Sequence, residues 1–210
     1  LSTLAQGMTQ MQTAAAAGDH IFDFLHEEEL SDETGKRTAL ADVRGEVEFD
    51  HVRFSYPNNP DKIIIKDFSA HIRPGQKVAI VGPTGAGKTT LVNLLMRFYE
   101  VDGGAITLDG VPTAAMTRAG LRKNFGMVLQ DTWLFGGTVA ENIAYGRPDA
   151  SREEIVAAAK AARVDYFIRT MPQGYDTVLD NEAANLSAGQ RQLLTIARVF
   201  LCDPPILILD

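Results

Sequence analysis

The chain has 210 residues, 45% of them hydrophobic, enough to bury a full core in one large domain with an appendage. With 27 acidic against 20 basic residues its net charge is −7, and no cluster of Lys and Arg is present to hold a phosphate backbone, so a nucleic-acid partner is excluded. No apolar run reaches the roughly 18 residues of a membrane span, no basic segment precedes an apolar core as in a signal peptide, and His20, His26, His51 and His71 lack metal-ligand spacing.

The opening segment places Leu1, Leu4, Met8, Met11, Ala15, Gly18, Phe22 and Leu25 at alternating steps of three and four, a heptad-like seam on a helix. It ends in Glu27-Glu28-Glu29. Such a seam fits either a helix packed on its own domain or the end of a longer helix. The polar, turn-rich stretch from Ser31 to Arg44 reads as a linker, which divides the chain into 1–29, a linker over 30–45, and a main domain over 46–210.

From Glu46 the pattern changes to strands. Val47, Phe49, Val52 and Phe54 nearly alternate, a Tyr56-Pro57-Asn58-Asn59-Pro60 turn follows, and Ile63-Ile64-Ile65 begins the next strand. This predicts an antiparallel β piece ahead of an α/β core. The Arg73-Pro74-Gly75-Gln76 turn leads into an apolar strand candidate at Lys77-Val78-Ala79-Ile80-Val81, with further strands expected at Ala105-Leu108 and Gly126-Leu129. Ser151-Arg152-Glu153-Glu154 has capping-box spacing, and Ile155, Val156, Ala159, Ala162 and Val164 mark the helix after it. The region from Val139 to Gly174 therefore reads as mainly helical, part of an inserted helical subdomain over about 131–200. Cys202, the single cysteine, is expected to pack in the core at an apolar helix end, in a reducing compartment.

Two motifs carry chemistry. Gly82-Pro83-Thr84-Gly85-Ala86-Gly87-Lys88-Thr89 fits G-x-x-x-x-G-K-[ST] and stands between the strand candidate at 77–81 and a helix opening at Thr89 and Thr90. Glycines leave backbone N–H groups free to curl around phosphates, Lys88 supplies a point charge, and the Thr89 hydroxyl can ligate Mg²⁺. This pattern predicts a nucleoside triphosphate ligand. The second motif, Leu186-Ser187-Ala188-Gly189-Gln190, opens an amphipathic run to Leu201 with Ser187 and Gln190 in capping-box register. A serine cap followed by two small residues suits an anion and equally suits an ordinary helix start.

Taken together, these motifs resemble the nucleotide-binding domain of ABC transporters. The signature of that family is usually LSGGQ; here it is LSAGQ, one methyl larger at Ala188. Tyr56 stands where the family places an aromatic that stacks on adenine, and Gln130, in Met127-Val128-Leu129-Gln130-Asp131, matches the glutamine that reaches Mg²⁺ and the attacking water. Ile206-Leu207-Ile208-Leu209-Asp210 looks like the second nucleotide motif, with Asp210 on the Mg²⁺. The run from Gln130 through Trp133-Leu134-Phe135 to Glu141-Asn142-Ile143 is similar to the exporter type found in bacterial multidrug and lipid half-transporters. So is the opening segment, which then reads as the cytosolic end of the last transmembrane helix. The segment Leu179-Asp180-Asn181-Glu182-Ala183 departs from the G-E-R-G pattern common in the family.

The resemblance implies an α/β P-loop NTPase core with an antiparallel β subdomain, an inserted helical subdomain and a preceding helix. Its ligands are ATP and Mg²⁺. The implied nucleotide contacts are Tyr56, Gly82, Thr84, Gly85, Gly87, Lys88, Thr89 and Thr90, joined by Ser187, Gly189 and Gln190. Gln130 and Asp210 are the implied catalytic residues, and the metal falls to Thr89, Gln130 and Asp210. The implied partners are a second such domain, the same or a different chain, and a transmembrane domain on the same polypeptide at the cytoplasmic face of a bacterial inner membrane. The implied activity is ATP hydrolysis driving export; the alternatives are a soluble or importer-type ABC ATPase, or a half-site that binds ATP without turnover. The family's glutamate after the aspartate and its later histidine are not among these 210 residues, so this stretch by itself is expected to be inactive.

Overall fold

Backbone hydrogen bonding organises residues 35–210 around a twisted antiparallel sheet and a helical cluster, each with its own apolar core. The computed structural model describes residues 2–27, 29–37, 40–129, 132–180 and 186–209. Residues 1–34 form a separate unit, the helix α1 (Ser2–Leu25), on which Met8, Met11, Ile21, Phe22, Phe24 and Leu25 are exposed. Among the described residues no helix is long and apolar enough to cross a membrane.

The second unit begins with β1 (Val47–Ser55) and β2 (Ile63–Ile72), followed by α2 (Lys88–Leu95). Next come β3 (Gly103–Leu108), β4 (Val111–Pro112), α3 (Arg118–Arg122) and β5 (Phe125–Val128). The helical part opens with β6 (Gly137–Thr138) and continues through α4 (Val139–Ala144), α5 (Arg152–Ala161), α6 (Asp165–Thr170) and β7 (Val178–Leu179). It closes with α7 (Ala188–Cys202), and β8 (Ile206–Leu209) follows. Strands order as β2-β1-β3-β4 in the antiparallel sheet; β5 and β8 pair in parallel, and β6 and β7 pair antiparallel at the base of the helical part.

β1 shows why its alternation is only approximate. Val47, Phe49, Val52 and Phe54 all face the core, yet two exposed residues, Asp50 and His51, separate Phe49 from Val52. The extra residue is taken up where the pairing register with β2 and β3 shifts, and His51 adopts φ 47°. Such a bulge restores the apolar face that a plain extra residue would turn outward. Gly104 makes it possible: its φ is 76°, and a Cβ there would overlap the carbonyl oxygens of Asp50 and His51.

The first core joins this sheet to α2 through Leu91, Leu94 and Met96, and to Met116, Leu121 and Phe125. Leu40 and Val43, from the stretch expected as linker, pack against it, and Arg37 bridges to Met116. The second core gathers Val139, Ile143, Ile155, Val164, Ile168, Leu179, Leu194 and Leu201.

Two expectations are corrected. Residues 77–81 are not a strand: no described backbone group pairs with them, and Val78, Ile80 and Val81 are exposed. A strand is held by ladder bonds to a neighbour, and β5 and β8, the parallel strands described, pair with each other instead. Cys202 is exposed rather than part of the core, because α7 ends there and Asp203 turns into a left-handed conformation at φ 45°. Its sulfur lies over Gly146, and partial burial raises the thiol pKa above the ordinary value.

Gly104→Ala is expected to lower unfolding free energy by about 2–4 kcal/mol, combining left-handed strain with overlap on two carbonyls. Urea denaturation followed by circular dichroism measures it; a loss below about 0.5 kcal/mol, the range of neutral surface changes, contradicts the bulge argument.

Candidate functional site

A helix start leaves N–H groups that have no acceptor within the helix. Here α3, α4, α5 and α7 meet this need with Thr117, Thr138, Ser151 and Ser187 side chains. α2 does not. Its N-cap is Gly87, with no side-chain cap and no acidic residue in the first turn. The free N–H groups therefore open onto the loop 82–87, where Gly85 and Gly87 take φ values of 82° and 88°.

Glycine at position 87 is required twice over, by its left-handed backbone and by Ile65, whose Cδ1 would lie 2.7 Å from an added Cβ. Gly82 is closely packed as well, since an added Cβ would stand 3.1 Å from the Ala86 Cβ. The Ala86 amide donates to the Pro83 carbonyl at 3.1 Å, closing the turn. Lys88 folds back along the loop and donates from Nζ to the carbonyls of Gly82 at 2.9 Å and Pro83 at 3.0 Å. Thr84 and Thr89 are exposed. The uncapped helix start, the left-handed Gly85 and Gly87 and the ammonium group together fit a polyphosphate anion.

Tyr56 follows β1, and its hydroxyl shares a 2.9 Å hydrogen bond with Thr90 Oγ1 on α2. Thr90 is buried, so this bond ties the ring directly to the phosphate-loop helix. Phe54 and Tyr99 meet Tyr56 edge-on, with ring centroids 5.0 and 5.1 Å away. Tyr99 was not singled out by sequence; its only signal is an aromatic four residues beyond the end of α2.

Ser187 caps α7 as its spacing predicts. Its Oγ accepts the Gln190 amide at 3.2 Å, and the Ser187 amide donates to Gln190 Oε1 at 2.8 Å. Ser187, Ala188 and Gly189 are exposed, and an added Cβ on Gly189 would meet nothing within 4 Å. Leu186 and Leu194 root this helix in the second core, whereas α2 belongs to the first. No hydrogen bond joins the described residues of the phosphate loop to the 187–190 cap. Gln130 and Asp210 lie outside the described residues, as do residues 181–185.

A protein-family model described as ABC transporter matches residues 65–210. The chain is 53% identical over 211 residues to a fatty acid ABC transporter ATP-binding/permease protein of Mycobacterium bovis, covering all of this chain and 33% of that protein. It is 46% identical over 210 residues to an ATP-dependent lipid A-core flippase of Chromobacterium violaceum, covering all of this chain and 35% of that one. A solved structure of a bacterial Atm1-family ABC exporter with ATP bound is 41% identical, with a TM-score of 0.84 over 95% of this chain and 34% of that chain. The chain thus spans about a third of the length of the curated relatives it matches.

Gly87→Ala is expected to cost about 1–3 kcal/mol of stability through backbone strain and the Ile65 contact. It should also abolish triphosphate binding measured by calorimetry. Wild-type affinity in a folded Gly87→Ala protein would contradict the cradle assigned to this loop.

Proposed function

The chain belongs to the ABC transporter family, and from that premise we propose that it is the ATP-binding and ATP-hydrolysing domain of an exporter. The carrying observation is the start of α2, where Gly87 leaves the amide groups uncapped beside the Lys88 ammonium. The loop N–H groups and Lys88 bind the phosphates, and Tyr56 presents its ring to the base from a position fixed by Thr90. When bound, Mg²⁺ neutralises charge on the terminal phosphates; Thr89 with Gln130 and Asp210 would hold it. Gln130, a neutral amide, would orient the attacking water without competing for its proton.

The second anion cradle, at Ser187, Gly189 and Gln190, stands on a helix rooted in the other core. This supports a reading in which two copies, or this domain and a related one, meet head to tail, each closing the other's site with its signature cap. ATP held between the two cradles favours the associated state, and hydrolysis releases it. The relatives that carry a permease on the same polypeptide support a membrane domain in the whole protein and a position at the cytoplasmic face of the membrane. They also favour the exporter over a free-standing ATPase.

A shared site makes a specific demand on mixed dimers of the full-length protein. Lys88→Ala copies alone, and Ser187→Arg copies alone, are expected to lack ATP-dependent turnover. Random 1:1 mixing assembles one intact site in each mixed dimer and should restore about a quarter of the wild-type rate if the two sites act independently. A mixture as inactive as either parent would contradict the head-to-tail reading, and an active Lys88→Ala homodimer would contradict the ATPase reading itself.

A further inference from the structure

Asn142 is fully buried on α4, and its whole amide is engaged. Its Oδ1 accepts the Phe135 amide at 3.1 Å, while Nδ2 donates to the carbonyls of Phe135 at 3.0 Å and Thr138 at 3.1 Å. One side chain thus grips both backbone groups of Phe135, as a neighbouring strand would, just ahead of β6. Arg198 reaches the same residue from α7: Nε donates to the Asn142 carbonyl at 2.9 Å, and Nη2 to Oδ1 at 3.4 Å.

The Arg198 guanidinium also lies 5.0 Å over the Tyr145 ring. Tyr145 packs on Phe135 at 5.3 Å and on Trp133 at 6.2 Å, so the clasp is continuous with an aromatic cluster in which Trp133 and Tyr145 are exposed. No carboxylate among the described residues pairs with Arg198, and burial lowers its pKa from the ordinary arginine value. A partly buried cation held by a carbonyl, an amide oxygen and a ring is a poor source of stability compared with an apolar side chain of the same volume. What a planar fork supplies is direction, because it fixes the rotation of the helix that carries it. On α7, Arg198 stands 11 residues beyond Ser187, about 16 Å along the axis.

We propose that Asn142 and Arg198 are positioning residues that lock signature helix α7 to the Phe135–Thr138 segment and its aromatic cluster, so that the Ser187–Gln190 cap meets a phosphate at one set angle. The assignment rests on the shared-site reading above.

The test uses the full-length protein, with kcat and KM for ATP, binding of a fluorescent ATP analogue, and Tm measured on each variant. Arg198→Lys keeps the charge and loses the fork; kcat is expected to fall about tenfold, as misplacement of a reacting partner does. Analogue affinity at the phosphate loop should stay within about twofold of wild type, because that loop belongs to the other core. Tyr145→Leu, at an exposed ring, guards against misfolding and should show the same pattern at a smaller size. Wild-type kcat in both variants overturns the assignment, as does a kcat loss that only tracks the fraction of unfolded protein. Turnover by Lys88→Ala overturns the parent reading instead, so the two failures are distinct.

Discussion

The amide groups at helix starts set the plan of this protein. Each start must supply acceptors for N–H groups that the helix itself leaves over. Thr117, Thr138, Ser151 and Ser187 do so locally, three of them in reciprocal pairs with Glu141, Glu154 or Gln190. α6 has no side-chain cap but carries Asp165 in its first turn. α2 has neither, and its start is also where the chain makes two left-handed turns and places a lysine. A helix start with no side-chain cap, two left-handed glycines and a lysine beside it suits a negative group.

The two apolar cores then decide what each cradle can do. α2 is buried by Leu91 and Leu94 against the antiparallel sheet, and α7 by Leu194, Ala197 and Leu201 against the helices. Between them runs β5, where α7 approaches so closely that a Cβ on Gly126 would meet Val199 at 2.7 Å and Pro204 at 2.5 Å. The two cradles are therefore anchored in different packed bodies that share one tight contact strand. Each is shaped by its own core.

Much of this was legible in sequence because it is local. Capping boxes need only four residues, and those at Ser151 and Ser187 form as their spacing predicts, joined by a third at Thr138. The strands at Val47, Ile63, Ala105 and Ile206 formed because their apolar faces meet cores within this chain. Residues 77–81 have an equally apolar pattern and stay unpaired, since periodicity measures a face to bury and says nothing of whether a ladder partner is at hand. The Asn142 clasp was invisible for a related reason. Its partners lie 4, 7 and 56 residues away, and a buried asparagine on a helix looks in sequence like any polar surface position.

Lys88 is held back along its own loop. An ammonium group has three donors, and here two go to the carbonyls of Gly82 and Pro83, the first residues of the loop it belongs to. The charge is thereby held over the loop rather than free in solvent, and one N–H remains to be directed outward. A guanidinium would be a poorer choice: its donors are fixed in a plane, so satisfying two carbonyls behind it would orient the rest of the fork with them.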